Sequence, residues 1–273
     1  MSVLIAATAL PCGLLIGLLL GALGGGGSIL AVPALVYVAG QSPHTATAGA
    51  LMVVAVGAVT GLACHAAAGR VRWAAGAAFG TLGTAGTYLG SRWSAAVDPA
   101  VLIAAFAGLM CVVAAALLLR SLRERRAAKA ARGGVGIAPL PPLSEGTASL
   151  RSRPARVTAT ASAVGLLTGF FGVGGGFVVV PALTLVLGME MPVAVGTSLL
   201  VIVINSTTAL ATRAGTGVLD WPLLVGVAAC TALGSYAGNR LATRLPPQVL
   251  STAFASLVAV LAVAMAATAV PRL

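Results

Sequence analysis

The sequence predicts an all-α integral membrane protein of about eight transmembrane helices, in two homologous repeats that each carry a glycine-broken helix followed by a half-helix. Three observations lead there. The 273-residue chain is 59% hydrophobic and 8% charged, with a mean hydropathy of +1.06, far more apolar than a soluble domain needs. Its apolar segments are long. A shift of 148 positions aligns residues 17–118 with 165–266 without a gap, and 36 of the 102 pairs are identical.

In order, the apolar segments cover 3–23, 44–68, 73–90 and 98–119, then 157–171, 192–212, 221–238 and 248–270. About 20 apolar residues cross a bilayer as a helix, so most of these can span, and the shorter ones can if tilted or flanked by polar-tolerant ends. Barrel-type alternation is absent, and lipid offers no water to an open backbone, which leaves helices. The first segment has no Lys or Arg ahead of it and runs past signal length, so it is expected to be a retained helix. Cys12, Cys64, Cys111 and Cys230 all fall inside apolar segments without metal-ligand spacing and read as packing residues.

The net charge of +11 is placed as in a membrane protein, and nucleic acid is not expected as a partner. Nine of the 16 basic residues, Arg120, Arg123, Arg125, Arg126, Lys129, Arg132, Arg151, Arg153 and Arg156, crowd the stretch between the halves. Positive residues stay inside, so this stretch is expected in the cytoplasm and the protein in the plasma membrane as a multi-pass chain. The organisation is then 1–119 first repeat, 120–156 basic cytoplasmic linker and 157–273 second repeat. Four net crossings per half put 13 basic residues inside and three outside; five crossings give the same split. Charge therefore leaves open whether the repeats are parallel or inverted.

The segment "GALGGGGSILAVPAL" at 21–35 returns as "GFFGVGGGFVVVPAL" at 169–183. Gly24, Gly25, Gly26 and Gly27, with Gly172, Gly174, Gly175 and Gly176, are poor helix formers and are expected to break the first helix of each repeat. Residues 28–40 and 177–188 then form half-helices holding Pro33 and Pro181. The free amides at such a start carry partial positive charge into the bilayer, where they can hold an anion without a buried Lys or Arg. The competing reading is that the glycines only let helices pack closely. Ser28 follows the first cluster. On one later helix Thr197, Ser198, Asn205 and Thr208 are spaced to share a face, and such uncharged groups can complete an oxyanion's shell or bond neighbouring carbonyls instead. The expected substrate site is thus Gly24, Gly25, Gly26, Gly27, Ser28, Gly174, Gly175, Gly176, Thr197, Ser198 and Asn205. His44 and His65 read as interfacial histidines, and Tyr88, Tyr236, Trp73 and Trp221 as interfacial anchors.

With "GFFGVGGGFVVVPALTLVLGMEMPVAVGTSLLVIVINS" at 169–206, preceded by Thr168, and "GTGVLDWPLL" and "GSYAGNRLATRLP" downstream, the chain resembles the TauE/SafE family of sulfite exporters and related permeases. The resemblance covers nearly all of the chain outside the linker. It implies a carrier of about eight helices for sulfite or organosulfur anions such as sulfonates, without ATP hydrolysis of its own. The first half departs from the family pattern where Ala48, Gly49 and Ala50 stand against Gly196, Thr197 and Ser198.

The five carboxylates, Asp98, Glu124, Glu145, Glu190 and Asp220, fall in loops or at segment ends, which argues against an intramembrane carboxylate relay or a paired-carboxylate active site. No phosphate-binding lysine motif is present, and the glycines do not follow a soluble strand. No enzyme activity, metal or cofactor is expected. The expected partners are a small anion, the lipid bilayer and a coupling ion, proton or sodium. A hydrolase built on Ser28 and His65, and a scaffold or subunit of a larger permease, are the alternatives from other classes; copurification of a stoichiometric partner would favour the latter.

Overall fold

A computed structural model describes residues 3–94, 96–97, 101, 105–106, 108–116, 119, 154–171, 176–185, 187–213, 221–246, 249–250 and 252–260. Every element among them is helical. These are α1 (Val3–Leu23), α2 (Gly26–Pro33) continued by a π-helical turn (Ala34–Val38), α3 (Pro43–Ala67), α4 (Trp73–Ser94) and α5 (108–116). The second half follows with α6 (Pro154–Phe171), α7 (Gly176–Leu185), α8 (Met191–Arg213), α9 (Trp221–Ala242) and α10 (252–260). Residues 120–153 of the expected linker lie outside the described residues.

The first glycine cluster splits between a turn and a helix. Gly24 has φ 72° and donates its N–H to Leu20 O at 2.8 Å, a left-handed cap that ends α1 and that a side chain would strain. Helix α2 restarts at Gly26, two residues before the expected half-helix, so the break is Gly24 and Gly25 alone. A side chain at Gly27 would overlap the Ile16 carbonyl, so α2 folds back along α1 with only a hydrogen between backbones. Pro33 has no N–H to give, and the helix beyond it widens into the π-turn, closed by Ala39 N–H to Ala34 O at 3.2 Å. Gln41 N–H then donates to Leu35 O at 3.0 Å, and in the second half Met189 N–H donates to Leu183 O at 3.2 Å, the same pair displaced by 148 positions. Helix α3 starts as its sequence dictates, with Ser42 capping Thr45 N–H and Pro43 at the first position.

Interhelical contacts fix the helix directions. Along α1 and α9, Gly13 meets Val227, Gly17 meets Thr231 and Gly21 meets Ser235, so the two run parallel. In α6 and α4, Gly165 meets Gly83 and Gly169 meets Thr87, again parallel. Helix α3 follows α9 (Gly57 on Thr231, Gly61 on Ser235), and α4 follows α8 (Gly76 on Leu200, Gly80 on Ile204). Helices α3 and α8 oppose one another, Gly61 lying on Leu199 and His65 on Gly196. So α1, α3 and α9 point one way and α4, α6 and α8 the other. The 148-residue shift carries α1 onto α6, α3 onto α8 and α4 onto α9, each onto a helix of opposite direction.

Lipid gives apolar helices no hydrophobic reason to associate, so close backbone packing must hold them. The glycine contacts are that packing, reinforced by hydroxyls reaching neighbouring carbonyls: Thr231 Oγ1 to Gly13 O at 3.0 Å, Ser235 Oγ to Gly57 O at 2.8 Å and Thr87 Oγ1 to Gly165 O at 3.1 Å. Around the hairpin ends, Phe106, Met110, Phe171, Val180, Phe254 and Val258 form one core cluster.

Among the described residues two spans, Thr45–Ala67 and Met191–Thr212, are long and apolar enough to cross a membrane. Helix α4 is diluted by its glycines, but Trp73 and Trp93 stand exposed at its two ends. Twenty residues of helix separate them, a rise of about 30 Å, the thickness of a hydrocarbon core. Leu14, Leu15, Val59, Val112, Val225, Leu233 and Val260 are likewise exposed, as lipid-facing side chains are.

Candidate functional site

Helices α1 and α2 form a hairpin whose tip, Gly24–Gly25, lies beside Val195 and Ser198, within the span of α8. Gly176 begins α7, and a methyl added to it would sit 2.6 Å from Gly25 Cα and 2.6 Å from Ile202 Cδ1. The starts of the two short helices therefore meet. Of the expected site residues, Gly24, Gly25, Gly26, Gly27, Ser28 and Gly176 come together at this point and are buried. Gly174 and Gly175, with Gly172, lie outside the described residues.

No side chain caps α2, and at its start the N–H groups of Gly24, Gly25 and Ser28 already donate, to Leu20 O at 2.8 Å, Leu23 O at 2.9 Å and Gly25 O at 3.3 Å, which leaves Gly26 and Gly27 as the first-turn donors. Ser28, fully buried, donates its hydroxyl to Gly25 O at 2.7 Å instead. Ser198 approaches the tip from α8; a methyl on Gly24 would lie 2.7 Å from its Oγ, and that hydroxyl donates to Val195 O at 2.7 Å. Both serines thus turn lone pairs, not hydrogens, to their surroundings.

The polar residues of α8 divide between two faces. Ser198 and Asn205, seven residues apart, share one. Thr197 is turned 100° away and accepts Arg72 N–H at 3.1 Å, tying the α3–α4 turn to α8. Its methyl packs on Gly76. Displaced by 148 positions, the same pair is Gly49 against Leu224, so the bulk has changed sides. Thr208 donates to Ile204 O at 3.0 Å.

Asn205 is one of five side chains with buried, unpartnered polar atoms among the described residues, together with Gln41, Ser94, Ser206 and Asn239. It lies against Gly83 on α4, is 1% exposed, and neither Oδ1 nor Nδ2 has a partner among the described residues. The displaced pair is Gly57 against Thr231, where the hydroxyl reaches both Val227 O and Gly13 O. Packing there is met by a small, satisfied side chain. An orphaned buried carboxamide in the matching place forgoes hydrogen bonds worth about 0.5–1.5 kcal/mol each.

Two further buried polar positions lie near helix ends. His65 is 1% exposed, with Nδ1 3.0 Å from Gly61 O, because the turn after α3 folds over it and Gly196 closes against its Cβ. It is buried within the protein, two residues from the end of the span Thr45–Ala67. Asn239, near the end of α9, has a buried Oδ1 without a partner among the described residues. The four cysteines are free thiols. Arg92 lies over the Tyr88 ring at 5.6 Å and Arg240 over Tyr236 at 5.1 Å, a second repeat-related pair at exposed helix ends.

The family model described as "Sulfite exporter TauE/SafE" matches residues 9–265. Two proteins of Xylella fastidiosa, each called "Probable membrane transporter protein", are 34% identical over 232 and 231 residues, which is 85% and 84% of this chain and 82% of each relative. "Probable membrane transporter protein YdhB" of Bacillus subtilis is 25% identical over 239 residues, 88% of this chain and 91% of that protein. No solved structure matches the chain significantly.

Proposed function

We propose that this chain, which belongs to the sulfite exporter TauE/SafE family, is a secondary carrier that binds a small anion, sulfite or an organosulfur anion such as a sulfonate, between two hairpin tips at mid-membrane. The repeats are read as inverted, about an axis in the membrane plane. Opposed helix directions under the 148-residue shift support this. Inverted repeats are a common basis of alternating access, one half rocking against the other around a fixed site.

The observation that carries the reading is the meeting of Gly25 and Gly176 beside Ser198. Two helix starts brought together in a region that holds no buried Lys or Arg among the described residues make an anion site of backbone amides. Asn205 Nδ2 is a further free donor. Purified protein alone, reconstituted in liposomes, is expected to take up labelled sulfite or a short sulfonate above empty vesicles. Absence of uptake across a panel of sulfur oxyanions and carboxylates would overturn the carrier.

The charge bias supports a cytoplasmic linker. A cysteine placed at Glu145 is therefore expected to resist an impermeant thiol reagent in intact cells and to react after lysis, relative to the parent protein with its four native cysteines. Rapid labelling from outside would reverse the orientation.

A further inference from the structure

Resting on that reading, we infer that His65 is the proton-binding residue of the carrier: its ring takes a proton at Nε2 when the anion seats at the first hairpin tip and releases it when the anion leaves, so that anion and proton cross together. Of the buried polar residues of the described structure, His65 alone changes charge near neutral pH. An ionisable group inside a membrane span is costly and marks a pathway or a relay.

Two contacts place the ring beside the tip. Nδ1 lies 3.0 Å from Gly61 O, which brings the ring back along α3 to the level of Gly61. A methyl on Gly61 would lie 2.8 Å from Ser235 Oγ on α9 and 3.1 Å from Leu199 Cδ1 on α8. The first hairpin reaches the same two helices: Gly21 packs on the Ser235 backbone, and Gly24 lies on Val195 and Ser198. Ring and tip thus stand within about one helical turn of each other. Gly61 O can only accept, so Nδ1 carries the hydrogen and Nε2 is the basic nitrogen.

The tip needs a charge that its backbone does not provide. The start of α2 brings amides, but the carbonyl end of α1 lies at the same tip, so together they give hydrogen bonds without net charge. No Lys or Arg is buried among the described residues. A lone anion or a lone histidinium is strongly disfavoured away from water, and each relieves the other, so the two charges enter together. The position displaced by 148 residues is Arg213, a permanent cation, so the first repeat alone has a base there that can take and return a proton.

The other charged and titratable groups around the ring are Cys64 on α3, Arg70 and Arg72 in the following turn, Arg240 on α9, which acts electrostatically on Cys64, and Glu190, exposed ahead of α8. Helix α8 has no ionisable side chain between Met191 and Thr212, and α1 adds only Cys12, about three turns before the tip. None of these is a buried counter-charge, which leaves the anion to be one.

The test uses a short alkyl sulfonate, which keeps one negative charge throughout, in proteoliposomes with the membrane potential clamped at zero. An interior about one pH unit more alkaline than the outside is expected to concentrate labelled sulfonate about tenfold at one proton per anion. His65→Gln is expected to lose that accumulation while exchanging labelled for unlabelled sulfonate at a reduced rate. Wild-type uptake that ignores the pH difference or follows a sodium gradient instead, or a His65→Gln protein that still accumulates tenfold, would overturn the inference and leave the carrier standing. Nitrogen NMR of isotope-labelled His44→Gln protein reads the ring directly, because His65 is then the sole histidine. At neutral pH it should show a hydrogen on Nδ1 alone without sulfonate and on both nitrogens with it. That spectrum decides should His65→Gln fail to fold or to exchange, and an unchanged ring would overturn the inference. No uptake of any sulfonate or of sulfite would sink the carrier itself.

Discussion

Gly17→Val is expected to leave almost no folded protein. A side chain there would overlap the Thr231 carbonyl, and both contacting groups are backbone. Overpacking a core commonly costs about 1–3 kcal/mol when side chains can shift; where two helix backbones touch, the helices themselves must part. They would lose the dispersion contacts that hold helices together in lipid, and the Thr231–Gly13 hydrogen bond beside them. The position displaced by 148 residues offers an independent copy of the experiment, because Gly165 meets the Gly83 carbonyl, and Gly165→Val should fail equally. Gly108 is the control. Nothing lies within 4 Å of a methyl added there, and in a helix Ala is preferred to Gly by about 1 kcal/mol, so Gly108→Ala should match or exceed wild type. Yield of monodisperse protein in detergent and the thermal midpoint read all three. A wild-type midpoint for Gly17→Val would remove close packing as the basis of the α1–α9 pairing.

Much of this arrangement is legible in residues because backbone requirements leave residue-type marks. The break after Leu23 needs a residue that accepts positive φ, and Gly24 stands there. The exact start of α2 is less legible, since Gly26 and Gly27 look like part of the break until Ile16 and Leu20 are seen to require a bare backbone opposite them. The same holds for Gly13, Gly17 and Gly21. Their four-residue spacing is visible in the chain, but their partners are more than 200 residues away. Direction is not legible from charge, because four and five crossings both divide the 16 basic residues 13 to 3, with Arg240 and Arg244 exchanging sides with Arg213 and Arg272. It requires the register of contacts along facing helices. Thr197 illustrates the limit for the site. Its sequence position beside Ser198 suggests a substrate contact, whereas Arg72 N–H and the gap at Gly76 account for it. Asn205 is among the expected site residues, and its carboxamide is left without a partner opposite Gly83; the adjacent Ser206 hydroxyl is unpartnered too, although residue type alone does not mark it.

Gly176→Ala is expected to abolish transport in a protein that still folds. One methyl would fall 2.6 Å from Gly25 Cα and from Ile202 Cδ1, so the starts of α2 and α7 must separate. Unlike Gly17, Gly176 sits at a helix end, where a short element can shift without unzipping a long helix pair. Anion binding by backbone amides depends on their approach and falls away when the helix starts no longer share one centre. Initial uptake is therefore expected to fall by at least about 100-fold, the scale of about 2.7 kcal/mol, with a smaller change in thermal midpoint. Gly175→Val, just outside the described residues, is expected to act alike. Asn205→Ala removes one neutral hydrogen bond worth about 0.5–1.5 kcal/mol and should weaken apparent affinity by up to about tenfold. Thr197→Ala should do less to affinity, because the group it leaves unpaired is Arg72 N–H. Arg92→Ala and Arg240→Ala remove exposed cations stacked on tyrosines, whose fields are screened over about 10 Å at 0.1 M salt, and should alter the salt dependence of uptake more than its selectivity. Full activity in Gly176→Ala together with complete loss in Arg240→Ala would move the anion from the hairpin tips to an arginine.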